Sequence, residues 1–229
     1  MSYNNGPKII TNGLALYIDS GNLASYPGSG TTWTDLTRNN FNGTLVNGGG
    51  YSTAGRGSIY FDSNGNYVGP LTSSLTTTSS TWFVWMYNLG GQRSNAGIFF
   101  SRSTTTGGIN FYGTTGQVNY HWNVVGASYS WNSGLYPPVG RWSLVVLKTE
   151  PAQGTMYLFE SGKMSSAVYT STHSAVTLDD LKFGTDDTGC CGPRHFYGYI
   201  AAASIYNRAL SIQEIQQNYD ALKGRFGLL

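Results

Sequence analysis

The stretch Gly184–Phe196, GTDDTGCCGPRHF, holds both cysteines of the chain, Cys190 and Cys191, the adjacent aspartates Asp186 and Asp187, and His195. Thiolates, carboxylates and imidazoles are the groups that hold metals and activate nucleophiles. Their spacing argues against the first use and does not establish the second. A structural zinc site usually draws four ligands from spaced C-x-x-C pairs, whereas these cysteines are adjacent and a second pair is missing. A catalytic cysteine needs a positioned base, and sequence does not say where His195 points. TDDTG and CGP have turn composition, so the stretch reads as a glycine-flanked loop between LKFG and the last strand. Asp186, Asp187, Cys190, Cys191 and His195 are therefore expected in a surface or subunit-contact loop, with a vicinal disulfide left open.

Glycoside hydrolysis needs two carboxylates about 5–9.5 Å apart. The chain has three glutamates. Glu150 precedes Pro151, Glu160 closes a strand beside SGK, and Glu214 has a helix-capping position. Asp179 and Asp180 are adjacent, and on a strand would face opposite ways. No nucleophile elbow, phosphate loop or HExxH pattern suggests another reaction. The expectation is a protein that is not an enzyme.

Neutral sugars are bound by aromatic faces and amide hydrogen bonds. The densest such stretch is NYHWNVVGASYSWNSGLYPP. Tyr120 and Trp122 alternate with polar residues and share a face with Val118 and Val124, a core pattern. Tyr129, Trp131, Asn132 and Tyr136 fall in the following loop and are the candidates for a carbohydrate contact. Packing or a subunit interface would use the same residue types.

These residues need a scaffold, and composition restricts it. Of 229 residues, 40% are apolar but only 10% charged, with 31 glycines and 17 tyrosines. Ordinary soluble domains carry about 25% charge, so the surface suits neutral partners. A net charge of +2 without a basic run excludes a nucleic-acid stripe. No apolar run approaches the ~20 residues of a membrane helix. MSYNNGPKIITNG lacks the basic and apolar regions of a secretory signal, so synthesis in a cytoplasm without export is expected.

Short β-branched and aromatic runs between Gly/Asn/Ser/Thr clusters predict an all-β sandwich. The strand candidates are 14–19, 58–62, 82–87, 97–101, 117–123, 142–148, 155–159, 181–183 and 199–206. TWFVWM and SLVVLK lack alternation and read as central strands buried on both faces. NGGGYSTAGRG and TTTGG read as loops. One short C-terminal helix is predicted over 211–223, outside the sandwich. Ile212, Ile215, Tyr219 and Leu222 form its apolar stripe, Ser211 and Glu214 a capping box, and Gly224 its terminator. Residues 1–12 are assigned to an arm and 13–229 to a single domain.

Several stretches then resemble a known family. GLALYIDSGN with WTDLTRNNFNGTLVNG, GSIYFDSNGNYV, GRWSLVVLK with GTMYLFESGK, and FYGYIAAASIYNRALSIQEIQQNYDALKGRFG occur in the order of laminin-G-type domains. The resemblance implies a concanavalin A-like jelly roll. Many such domains hold calcium at the rim, and Asp62, Asn64 and Asn66 could contribute oxygens. Ala201 stands where the related ending often has Asp, and Asp62 could equally bond backbone amides in a tight turn. No other cofactor is expected. LYIDSGNLASYPGSGTTWTDL paired with QNYDALKGRFGL is similar to laminin-G-type domains of tailed-bacteriophage structural proteins. That resemblance implies a non-enzymatic subunit on a virion surface, as capsid decoration, tail fibre or baseplate. It would contact itself and other virion proteins, but neither nucleic acid nor membrane. A carbohydrate-binding module is the alternative, and a glycoside hydrolase a third reading.

Overall fold

The computed structural model describes residues 7–71, 75–123, 128, 130–186 and 192–228. Val124, Tyr129, Asp187, Cys190 and Cys191 lie outside them. The first strands are β1 (Leu14–Asp19), β2 (Thr32–Trp33), β3 (Gly43–Val46), β4 (Gly50–Ser52), β5 (Ser58–Asp62) and β6 (Tyr67–Leu71). Then come β7 (Thr76–Thr77), β8 (Ser80–Asn88), β9 (Gly97–Arg102), β10 (Thr106–Phe111), β11 (Val118–Trp122) and β12 (Trp142–Glu150). The last are β13 (Gln153–Glu160), β14 (Lys163–Thr170), β15 (Val176–Thr177), β16 (Leu181–Phe183) and β17 (Tyr197–Tyr206), followed by α1 (Ile212–Leu222).

Among the described residues two large antiparallel sheets face each other. One runs β14-β13-β12-β8-β17-β5-β4, with β1 also on β17; the other runs β11-β10-β9-β16-β6-β3-β2. β15 and β7 form a small separate pair. Alternation decides what each strand gives to the space between the sheets. Val118, Tyr120 and Trp122 of β11 point inward as expected, with Ile109 and Phe111 from β10. Trp82, Val84 and Met86 of β8 meet them from the other sheet.

The alternate residues of the eight-stranded sheet are also buried. Phe83 and Trp85 of β8, Leu144 and Val146 of β12, and Ala201 and Ala202 of β17 join Ile215, Tyr219 and Phe226 in a second apolar cluster. That explains why TWFVWM and SLVVLK show no polar alternation: both faces of these strands are covered. The two alanines leave room for the covering layer. Tyr219 stacks on Trp85 at 5.8 Å and on Phe159 at 4.6 Å, while Phe226 stacks on Trp85 at 4.3 Å.

The helix has the predicted start. Ser211 Oγ accepts from Glu214 N, and the Glu214 carboxylate accepts from Ser211 N. Its end is different. Gly224 does not terminate it; the chain tightens into a 3₁₀ turn over Lys223–Phe226, and Gly227, at φ 70°, adopts the left-handed conformation. The extra turn carries Phe226 onto Trp85, and lets Arg225 pair with Asp19 and donate to Gly55 O and Gly57 O. Ile212, expected in the buried stripe, is exposed. Residues 7–12 run beside the helix: Ile10 N donates to Asn218 Oδ1 at 2.8 Å, and Gln217 Nε2 to Lys8 O at 2.8 Å.

Two strands lie where loops were expected: TTTGG contributes to β10 and NGGGYSTAGRG contains β4. KMSSAVYT, which is not among the strand candidates, forms β14. Asp179 and Asp180 lie in a bend just before β16 rather than on a strand.

Replacing Ser211 by Ala removes the cap and should cost about 1 kcal/mol, read from the urea midpoint. Arg208, then the Ser211 amide, hold the Glu214 carboxyl down at about 2, against an ordinary 4.5. The folded state thus binds this proton later than the unfolded chain, so the contribution is full above pH ~4.5 and fades as pH falls toward 2. The stability difference between the protein and Glu214→Gln should shrink over that window.

Candidate functional site

The end of β8 organises one rim of the sandwich. Asn88 is buried, and its side chain is shared between two loops. Asn88 Oδ1 accepts from Gly90 N and from Gln92 Nε2, each at 2.8 Å, while Asn88 Nδ2 donates to Pro137 O at 3.0 Å. The backbone adds a link from Gly140 N to Asn88 O at 2.8 Å. Gln92 is itself fixed on β17, donating to Tyr197 O and accepting from Tyr197 N. One amide therefore sets the distance between the 89–92 loop and the 137–140 strip. Glycine is required at 90, where φ is 79° and a Cβ would stand 3.1 Å from Val139 Cγ1.

The strip before Pro137 alternates although it is not a strand of either sheet. Ser133, Leu135 and Pro137 are buried; Asn132, Gly134 and Tyr136 face outward. The anchors are Val118 N donating to Leu135 O at 2.8 Å and Ser133 Oγ donating to Val118 O at 2.5 Å. This alternation projects Tyr136, which is 54% exposed. Its ring borders a cleft of about 580 Å³ whose other walls are Gly90, Gly91 and Gln92, the Thr114–Gly116 turn, and Pro137–Val139. Among the described residues, no Asp, Glu, Lys, Arg or His lines it. An aromatic face beside hydroxyl, amide and peptide groups can stack on an apolar ring face and hydrogen-bond to its substituents.

The other sugar-contact candidates separate from Tyr136. Trp131 was expected as an exposed loop aromatic, but is half-buried. Its ring packs edge-on to Tyr120 at 5.9 Å and against Tyr169 at 5.6 Å, which closes the mouth of the core. Asn132 is exposed, and its Oδ1 accepts from Gly134 N at 3.2 Å to shape the turn. Neither lines the cleft.

Asp186 also differs from expectation. It is not a surface contact but is 1% exposed, and two arginines share its carboxylate. Arg102 donates to Oδ1 at 2.6 Å and to Oδ2 at 3.1 Å, and Arg194 to Oδ2 at 2.9 Å. Burying a carboxylate is tolerable only with such charge-assisted bonds. Gly97 permits the approach, since a Cβ there would lie 2.2 Å from Asp186 N. His195 is half-buried, bridging backbone-to-backbone with Gly97 and Thr185.

On the same outer sheet face, Arg102 Nη2 lies 3.3 Å from His121 Nδ1. An arginine only donates, so Nδ1 accepts and the ring proton sits on Nε2. Burial, then the Arg102 charge, pushes His121 down to about 4. Asn110 and Asn119 pair across β10 and β11 on this face, and among the described residues Asn110 Oδ1 and both Asn119 side-chain polar atoms have no hydrogen-bond partner. Both asparagines are closed off from solvent, unlike the Tyr136 cleft.

The carboxylates have structural duties. Glu150 pairs with Lys148 at 2.9 Å, Asp180 with Lys182 at 3.0 Å, and Glu214 with Arg208 at 2.6 Å. Asp62 Oδ1 accepts from Asn64 N at 2.8 Å, and Asn66 Oδ1 from Asp62 N at 3.0 Å, a tight turn held by its own amides. Ala201, in place of the related aspartate, is packed in the second apolar cluster. Among the described residues, no three His, Cys, Asp or Glu side chains converge on a point that could hold a metal ion.

Asn88→Ala should cost about 3 kcal/mol in urea unfolding, because it strands buried partners in both loops. Stability should also fall as pH drops from 6.5 toward 4, because the unfolded chain takes up the His121 proton first. His121→Gln should flatten that part of a Tm–pH profile. A residual slope is expected from His173, which burial also lowers.

A model of the concanavalin A-like lectin/glucanases superfamily matches residues 61–216. Among solved structures, domain 4 of AbnA, a GH43 extracellular arabinanase from Geobacillus stearothermophilus solved with arabinotriose, aligns with a TM-score of 0.67 and 17% identity, covering 91% of this chain and 98% of that one. Trypanosoma rangeli sialidase with the inhibitor DANA aligns at 0.64 and 14%, over 96% of this chain but 34% of the enzyme. The binding domain of botulinum neurotoxin DC with SialylT aligns at 0.63 and 11%, over 96% of this chain and 52% of that one. No curated protein sequence matches significantly. At these identities the structural likenesses speak for the fold, and with the family match they lead to one statement: the chain belongs to the concanavalin A-like lectin/glucanase superfamily.

Proposed function

We propose that this protein is a non-catalytic glycan-binding module whose ligand is a neutral sugar held in the rim cleft against Tyr136. The observation that carries the reading is a half-exposed aromatic ring standing over an open cleft that, among the described residues, has no charged side chain. A desolvated carboxylate or sulfate would find no cation there, whereas a pyranose or furanose has an apolar face for the ring and hydroxyls for its surroundings. Thr114 supplies an exposed hydroxyl, and Gln92 Oε1 keeps a lone pair beyond its bond to Tyr197 N. The arabinotriose complex of the arabinanase domain supports a neutral oligosaccharide as the first ligand to try.

The non-catalytic part rests on the acidic residues. Asp19, Asp180, Asp186, Glu150 and Glu214 are each paired with a cation, and none lines the cleft. The setting we propose is a virion surface, on the resemblance of QNYDALKGRFGL and its N-terminal counterpart to phage structural domains. Repetition on a particle would turn millimolar single sites into useful avidity. Immunogold labelling of particles from the native source would test that setting; label confined to unassembled protein would contradict it.

Glycan-array screening followed by calorimetry tests the binding. A neutral oligosaccharide should bind, and Tyr136→Ala should weaken it at least roughly tenfold, about 1.4 kcal/mol, without lowering Tm. Tyr136→Phe keeps the stacking face and should retain most of the affinity. Binding confined to sialylated or uronic glycans, or unchanged by Tyr136→Ala, would refute the cleft.

A further inference from the structure

Sheet edges expose unpaired N–H and C=O groups, and soluble proteins shorten, cover or charge them. Most edges here follow that rule. β2 has two residues and β4 three. β11 is covered by Ser128 and the 130–135 strip, with Trp122 N donating to Ser128 Oγ at 3.2 Å and Val118 N to Leu135 O at 2.8 Å. The free side of β1 is closed by the loop after it: Tyr17 N donates to Asp35 Oδ1 at 3.0 Å, Leu36 N to Tyr17 O at 2.7 Å, and Asn39 Nδ2 to Ala15 O at 2.7 Å.

β14 breaks the rule. It ends the eight-stranded sheet, spans eight residues, and pairs with β13 over its whole length without a bulge. Its sequence, KMSSAVYT, has no proline and one charge, Lys163 at the first position. Ala167 and Tyr169 turn toward the core, so Met164, Ser166 and Val168 occupy the outer face. Met164 is 44% and Val168 54% exposed. They lie opposite Phe159 and Thr155 of β13, at the margin of the cluster that α1 covers.

We infer that β14 is a homodimer interface, pairing antiparallel with β14 of a second copy about a two-fold axis at Ser166. The strand is its own complement. A two-fold axis normal to the sheet keeps outer faces together, so only registers centred on a residue are allowed. Centred on Ser166, each Met164 meets Val168 of the second copy, giving two apolar cross-strand pairs. On the other face Lys163 meets Tyr169 of the second copy, a cation beside an aromatic ring. Moving the centre to Ala167 sets Val168 against Ser166 and Met164 against Thr170, losing both apolar pairs. An unrelated peptide would have to reproduce this pattern; a second copy carries it already. The product is one continuous sheet across both subunits with an isologous contact.

Pairing along one strand buries a narrow strip, at or below the low end of the about 1,200–2,000 Å² of stable interfaces. The dimer should therefore be weak, with a Kd on the order of 10–100 μM.

Sedimentation equilibrium of the intact chain over a range of concentrations tests this. The protein should pass from monomer to dimer. Met164→Lys and Val168→Glu should each weaken the dimer at least tenfold while leaving the thermal midpoint near that of the parent. The double variant M164K/V168E sets a lysine against a glutamate at both pairs and should restore dimerisation, which a misfolded chain would not do. A protein that stays monomeric up to ~1 mM, a dimer indifferent to Met164→Lys, or a double variant no better than the singles would overturn the inference. So would a monomer that adds an unrelated extended peptide along β14. None of these outcomes depends on glycan binding.

Discussion

The structure depends on burying both faces of β8, β12 and β17. One face meets the seven-stranded sheet and the other meets α1 with the turn after it. A sheet with one wet face would need polar residues at Phe83, Trp85, Leu144 and Val146. Those positions are apolar, so the helix is a required layer. This is why the last turn runs past Gly224: Phe226 must reach Trp85, and Arg225 must reach Asp19 at the end of β1. The end of β1, the turn after α1 and the central strands are held together at one place.

With its faces used for cohesion, such a sandwich offers rims and edges to other molecules. At the rim, Asn88 converts the rigidity of β8 into a fixed separation between two loops, and Tyr136 projects over the gap because the strip before it alternates. At the edge, β14 extends beyond the helix and leaves Met164 and Val168 uncovered. Low charge suits both places. About half of the few charged residues sit in ion pairs, and the carboxylate of Asp186, shared by Arg102 and Arg194, is the most deeply buried of those groups.

Patterns that are local in the chain were legible in the sequence. The alternation of Val118, Tyr120 and Trp122, the unbroken apolar runs of β8 and β12, and the Ser211–Glu214 box each follow from spacing alone. Strands whose composition is not strand-like were hidden. β10 contains two glycines, and β14 contains serines with one face in water, so both resemble loops until their partners are present. Site residues suffered most, because their roles are set across the fold. Trp131 reads as exposed until Tyr169, 38 positions later, lies against it. Asp186 reads as a turn residue until Arg102, from a strand 84 positions earlier, bonds to it. Asn88 carried no local signal, since its importance lies in carbonyl and amide partners from two loops. Tyr136 was legible as a candidate through its place in the aromatic-dense stretch NYHWNVVGASYSWNSGLYPP.

The most direct test of the central claim is chemical-shift mapping of the labelled protein during titration with a neutral oligosaccharide. The account predicts shifts concentrated at Gly90–Gln92, Thr114–Gly116 and Tyr136–Val139, with the sheet interiors unmoved. Shifts centred instead on Asn110, Asn119 and His121, on the outer face of the seven-stranded sheet, would contradict it.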